Sequence, residues 1–188
     1  QAKTGTGKTL GFGLPLIQRL GFDPTPGVKA LVVVPTRELC IQVAEDLELA
    51  TSNRPTKVVA IYGGKAYEGQ VDALKDGAQI VVGTPGRLLD LAGQRLLSLA
   101  GVETMVLDEA DKMLDLGFLP DIEKLFAQTP AERHTMLFQQ RLALPAVKLL
   151  GVVQSGGNAI GTEPDGSGGH RARQRTTPGL VDADDEAG

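Results

Sequence analysis

The first nine residues carry a compact chemical signature. In Ala2-Lys3-Thr4-Gly5-Thr6-Gly7-Lys8-Thr9, two glycines precede a lysine and a hydroxyl. Gly5 and Gly7 let the backbone curl so that successive N–H groups point at phosphate oxygens, with Ala2 standing where such a loop usually has its first glycine. Lys8 sets a cation against the terminal phosphates of a nucleotide, and the Thr9 hydroxyl suits the shell of a Mg²⁺ ion. A helix opening at Lys8 would add the positive end of its dipole. Thr4, Gly5, Thr6, Gly7, Lys8 and Thr9 are thus the candidate nucleotide-binding residues. A chance glycine turn is the competing reading, and the apolar helix that follows argues against it. Alone, this phosphate loop specifies nucleotide binding and no particular reaction.

Its chemical complement is an acidic pair at the end of a later strand. Met105-Val106-Leu107 runs straight into Asp108-Glu109-Ala110-Asp111. In a parallel sheet the functional side chains sit beyond the carboxyl ends of the strands, which brings Asp108 beside the phosphate loop. Its carboxylate suits a direct or water-mediated Mg²⁺ contact. Glu109 is placed to orient and deprotonate an attacking water. Lys8, Asp108 and Glu109 are the candidate catalytic residues. A solvated acidic turn would be the plainer reading of the four residues in isolation; the apolar strand and the phosphate loop together displace it.

These groups need a scaffold, and the alternation of apolar runs supplies one. Strands are expected at 30–34, 57–61, 79–83, 104–108 and 135–138, several of them apolar throughout, as strands buried on both faces should be. Helices are expected at 9–20, 37–49, 67–76, 86–91 and 121–128. In the second of these, Leu39, Val43 and Leu47 form a stripe with Glu38, Glu45 and Glu48 off it. The fold class is therefore α/β, a parallel sheet with right-handed crossovers. The pattern ends near Gly151, so the domain is expected over 1–151. Residues 152–188, rich in Gly, Ser, Asp and Arg, read as a low-complexity, disordered tail.

Composition narrows the classes further. With 188 residues, 41% hydrophobic and 22% charged, the chain has room for one globular domain and a tail. The single Cys40 excludes a disulfide framework and fits a reducing cytoplasm. No apolar run approaches the roughly 20 residues that span a bilayer. A net charge of −4 disfavours binding nucleic acid through a broadly basic surface, so any such contact must be local.

Further motifs make the assignment specific. Asp108-Glu109-Ala110-Asp111, Pro35-Thr36-Arg37-Glu38-Leu39, Gly63-Gly64, Thr84-Pro85-Gly86-Arg87 and Ala110-Asp111-Lys112-Met113-Leu114 follow the phosphate loop, with Gly117-Phe118 after them. Together they closely resemble the first, RecA-like P-loop NTPase domain of the DEAD-box ATP-dependent RNA helicases, over residues 1 to about 138. The resemblance implies ATP and Mg²⁺ as cofactors, RNA as partner, and Asp111 as a residue coupling the two. It also implies RNA contacts from Pro35, Thr36, Arg37, Gly63, Gly64, Thr84, Pro85, Gly86 and Arg87. The residues support this: Thr36 and Thr84 each follow a strand and open a helix, with Pro85 suited to a first helical position. Two helix N-termini on one side of a sheet, with Arg37 or Arg87, would track backbone phosphates without reading bases. Arg37 as a structural arginine paired with a carboxylate, and Thr84 as a plain helix cap, remain alternatives. So does weak RNA contact by the cluster His170, Arg171, Arg173 and Arg175 in an otherwise solvated tail.

Three departures from the family pattern carry expectations of their own. The chain starts at Gln1, so the strand carrying the phosphate loop and the family's upstream adenine-reading glutamine are expected to be missing. No second helicase domain follows, and with it would go the arginine fingers that accelerate phosphoryl transfer by about 10³–10⁵. The chain by itself is accordingly expected to show no unwinding and negligible ATP hydrolysis. Finally, Gln139-Gln140-Arg141 stands where the family has Ser-Ala-Thr. A single-base frameshift would account for that change and for the tail; divergence or a fragment end are the alternatives. Against the helicase-domain reading stand another P-loop NTPase, and a non-enzymatic fragment with weak nucleotide or RNA binding.

Overall fold

The computed structural model describes residues 6–23 and 25–139. Five short apolar runs form the strands β1 (Ala30–Val33), β2 (Val58–Ile61), β3 (Ile80–Gly83), β4 (Thr104–Leu107) and β5 (His134–Leu137). All neighbours pair in parallel, in the order β2-β3-β1-β4-β5. Parallel pairing demands a crossover between consecutive strands, and the helical segments supply it. These are α1 (Thr6–Leu20), α2 (Arg37–Ala50), α3 (Glu68–Lys75), α4 (Pro85–Gly93), α5 (Ala110–Asp115) and α6 (Leu119–Gln128).

The two-residue period of a strand divides the core in two. Ala30, Val32 and Val34 join Phe12, Leu16 and Ile17 of α1 and Cys40, Val43 and Leu47 of α2 on one face of the sheet. Leu31 and Val33 face the other way, onto Leu88 and Leu91 of α4, Met113 of α5 and Ile122 and Leu125 of α6. Because both faces are covered, the central strands are buried at every position. α1 and α2 approach closely at Gly13, where a Cβ would lie 2.8 Å from Leu47 Cδ2. Within α1, Pro15 leaves the Gly11 carbonyl without its helical donor, and both residues are exposed to water.

All five expected strands are present, most with bounds moved by a single residue. The helices differ more. α1 opens at Thr6, three residues before the expected start; the Thr-Gly-Lys run there carries no apolar residue that would extend the period. α5 was not expected at all. Its six residues directly follow the acidic pair, and only Ala110 and Met113 are buried, too few for a helical period to show. Thr4, Gly5, Arg141 and the expected tail lie outside the described residues. Among the described residues no helix is long and apolar enough to cross a membrane.

Candidate functional site

The register sets the site. Val33 of β1 pairs with Gly83 of β3 and Leu107 of β4; Ile61 of β2 pairs with Gly83, and Leu137 of β5 with Leu107. The five strands therefore end flush, so Pro35–Arg37, Gly63–Gly64, Thr84–Arg87, Asp108–Glu109 and Phe138–Gln139 all leave the same edge of the sheet. Open parallel sheets bind ligands at this edge.

Asp108 is the buried anion of the edge, only 4% exposed. Its N–H is held by the Val33 carbonyl at 3.0 Å, and its Oδ1 accepts the Glu109 N–H at 2.9 Å. Burial pushes its carboxyl above the ordinary value of 3.8, against the Glu109 hydrogen bond, with the Glu109 and Asp111 charges adding and Lys8 opposing. The influence of Lys8 places the first turn of α1 and the acidic pair in one electrostatic neighbourhood. Thr9, next along that turn, is buried. Among the described residues no group of three or more His, Cys, Asp or Glu could hold a metal by itself. A desolvated carboxylate and a hydroxyl beside a lysine do fit Mg²⁺, which keeps most of its shell as water and phosphate oxygen.

A raised carboxyl has a thermodynamic consequence. The folded state binds more protons than the unfolded one above pH 3.8, so stability falls as pH climbs through the window up to the folded value. At neutral pH the ionised Asp108 is a net cost in the free domain. Asp108→Asn keeps an acceptor for the Glu109 N–H and removes the charge. We expect its melting midpoint at pH 7 to exceed that of the parent chain, with the gap closing as pH approaches 3.8. A midpoint equal to or below the parent's at pH 7 would contradict the buried-charge account.

Glu109 has φ 52°, a left-handed conformation that costs a non-glycine residue about 1–3 kcal/mol. Two bonds from the neighbouring strand brace the turn: the Ala110 N–H donates to the Phe138 carbonyl at 3.0 Å, and the Phe138 N–H donates to the Leu107 carbonyl at 2.8 Å. Phe138 also packs on Phe12 of α1, ring centroids 5.3 Å apart, so one residue touches both halves of the candidate nucleotide site. The Glu109 side chain is half-buried and pairs with Lys112 at 3.3 Å.

The middle motifs fall at the same edge with distinct roles. Thr36 caps α2 as expected, its Oγ1 accepting the Leu39 N–H at 3.3 Å. Thr84 occupies the capping position of α4, but its side chain makes no capping bond; the extended backbone and Pro85 set the start of that helix instead. Pro35 and Pro85 are buried, and their rings shape the turns that lead into α2 and α4. Arg37 is exposed and, among the described residues, has no carboxylate partner; its guanidinium lies 5.1 Å from the Tyr62 ring centroid. The structural ion pair weighed for it is thus replaced by a stack on an aromatic face. Arg87 stacks 4.3 Å from the Tyr67 ring centroid and donates to the Lys65 carbonyl at 3.0 Å.

Two residues that shape the site, Gln70 and Gly83, escaped sequence reasoning. Gln70, 2% exposed in α3, accepts the Tyr62 N–H at 3.1 Å and donates to the Tyr62 and Ala66 carbonyls at 3.3 Å each, folding the Gly63–Gly64 turn onto its helix. A lone glutamine in a short helix carries no pattern that would flag it. Gly64 takes φ 78°, within reach of Arg37. Gly83 admits no side chain, because a Cβ would meet Leu88 Cδ2 at 2.6 Å and the Ile61 carbonyl oxygen at 2.9 Å.

Comparison with known proteins gives a consistent result. The DEAD/DEAH box helicase family model matches residues 1–139. The chain is 50% identical over 145 residues to the ATP-dependent RNA helicase CshA of Listeria monocytogenes, covering 77% of this chain and 28% of that protein. It is 48% identical over 152 residues to the DEAD-box ATP-dependent RNA helicase CshA of Streptococcus pneumoniae, covering 81% and 29%. Among solved structures, a DEAD box protein from the hyperthermophile Methanococcus jannaschii superposes with a TM-score of 0.75 at 41% identity, covering 85% of this chain and 43% of that one. A yeast DEAD-box splicing factor gives 0.74 at 34% identity, covering 87% and 41%. The chain thus spans less than a third of the length of the curated relatives it matches.

Proposed function

Because this chain belongs to the DEAD/DEAH box helicase family, we propose that its described domain binds MgATP at one part of the flush strand edge and a single-stranded RNA backbone at another. In the complete protein this would couple ATP hydrolysis to separation of RNA strands. The observation that supports the reading best is the common exit of five motif-bearing loops from one edge.

For the nucleotide, Lys8 neutralises the terminal phosphates, while Thr9 and Asp108 offer oxygen to the metal's shell. Bound Mg²⁺ would supply charge neutralisation at the phosphates. Glu109 orients the attacking water and accepts its proton, and Asp111, two residues on in α5, is the candidate link to the RNA side. Thr4, Gly5, Thr6 and Gly7 supply the backbone amides around the phosphates.

For RNA, the exposed Arg37, the open backbone of Gly63, Gly64 and Gly86, the N-terminus of α2 and Arg87 form a track for phosphates. Such a track holds a strand irrespective of its bases, and it reconciles binding with a net charge of −4. Preference for RNA is taken from the names of the relatives, and a cytoplasmic location from the reduced, buried Cys40. Fluorescence titration of labelled single-stranded RNAs of differing sequence tests this reading. Affinities should agree among sequences and fall by roughly tenfold or more from about 50 to about 200 mM salt, as for contact with a few phosphates. Strong preference for one sequence, or binding indifferent to salt, would refute the phosphate track.

A further inference from the structure

Arg87 sits in an arrangement that its motif does not announce. Its nearest aromatic is Tyr67, whose ring covers the guanidinium at 4.3 Å. The Tyr67 hydroxyl donates to Asp90 Oδ2, and Gln94 Nε2 donates to Asp90 Oδ1 at 2.8 Å. Each oxygen of the Asp90 carboxylate therefore already accepts from a neutral donor. The hydrogen bond from Tyr67, then that from Gln94, holds the Asp90 carboxyl below its ordinary value, and the Arg87 charge acts in the same direction. Yet Arg87 and Asp90 form no ion pair, although they are close enough for their charges to interact.

The guanidinium is anchored elsewhere. One N–H goes to the Lys65 carbonyl at 3.0 Å, on the loop that carries Gly63 and Gly64. On the other side of that loop, Arg37 Nη1 lies 3.6 Å from where a Cβ of Gly64 would stand. Two arginines thus flank one turn, one held against Tyr62 and the other against Tyr67. A guanidinium has five N–H groups in a fixed plane, so stacking one face and committing one donor leaves the remaining edge available to an anion.

We propose that Tyr67 is a positioning residue: it stacks on Arg87 and occupies Asp90, keeping the arginine an unpaired cation beside the glycine turn for an RNA phosphate. This deepens the RNA reading given above and rests on it. Without the hydroxyl, Asp90 loses the donor that holds its Oδ2, and an internal ion pair with Arg87 competes with the phosphate. The effect sought is on charge available to RNA, which a purely structural role for Tyr67 would not change in a reversible way.

The test uses the full chain and a labelled single-stranded RNA oligomer, with affinity measured across a salt series. Tyr67→Phe keeps the ring and removes the hydroxyl. It should weaken RNA binding roughly two- to fivefold and make the salt slope shallower, since one phosphate contact is partly lost. Adding Asp90→Asn to Tyr67→Phe removes the competing carboxylate and should restore both affinity and slope. If Tyr67→Phe binds RNA as the parent does, or if the double variant fails to recover, the proposal is overturned. Arg87→Ala is the separate arm. Should that variant bind RNA unchanged, the placement of Arg87 on the RNA track is itself wrong, irrespective of Tyr67. Unfolding midpoints for each variant guard against misfolding, and the double variant carries the decision where Tyr67→Phe alone is destabilised.

Discussion

Lys8→Ala is expected to weaken MgATP binding by about 1.5–3 kcal/mol, roughly ten- to a hundredfold, when measured by calorimetry on the full chain. The side chain leaves the first turn of α1, where the positive end of the helix dipole already favours an anion, so its ammonium adds a charge-assisted contact there. It also acts on the protein. Lys8 is the charge that pulls the buried Asp108 carboxyl down while burial, Glu109 and Asp111 push it up. Removing Lys8 takes that opposing charge away, so the Asp108 carboxyl moves further up. Unchanged MgATP affinity in a folded Lys8→Ala chain would sink the nucleotide assignment.

The second large effect concerns the scaffold. Gly83 ends β3 where the strand turns into α4, between Leu88 on the helix and the Ile61 carbonyl of β2. A methyl group there would stand 2.6 Å from Cδ2 and 2.7 Å from Cγ of the fully buried Leu88, and 2.9 Å from a backbone oxygen that cannot move without disturbing the β2–β3 ladder. Overpacking of this kind costs typically 1–3 kcal/mol, and Gly83→Ala should lose about that much stability in a denaturant titration. Cys40 supplies an independent readout. It is fully buried, its thiol is pushed up to about 12 by burial, and its Sγ donates to the Val82 carbonyl at 3.2 Å, one residue from the substitution. Thiol reagents should reach it only when the domain opens. Gly83→Ala should speed that labelling roughly five- to a hundredfold, in proportion to the lost stability. Parent-like stability and labelling would mean that the β2–β3–α4 junction yields more readily than its geometry indicates.

Much of the candidate site was legible before any coordinates. The spacing of Gly7, Lys8 and Thr9, the apolar run ending in Asp108 and Glu109, and the Thr-Pro start of α4 are local signals. Each depends on a few bonded neighbours, on backbone freedom at glycine, or on the two-residue period of a strand. Parallel pairing was likewise implicit, since apolar runs separated by helical segments leave few other packings. What the strands would do beside one another was not. The order β2-β3-β1-β4-β5 and the flush register that gathers five loops at one edge are decided by which faces bury most when all the elements pack at once.

The same division holds for single side chains. Thr36 and Thr84 look alike in sequence, yet only Thr36 makes a capping bond. Arg37 and Arg87 both read as cations for phosphate, but one rests on Tyr62 and the other on Tyr67, the latter shielded from Asp90 by a hydroxyl 23 residues earlier in the chain. Glu109 takes a left-handed turn because the end of β5 clasps it, and Gln70 folds the glycine turn from a helix that carries no signal of its purpose. Motif chemistry is written in residue types and short spacings, which covalent geometry enforces. Partner choice among distant polar groups is set by desolvation and close packing, and those act only once the chain has brought the groups together.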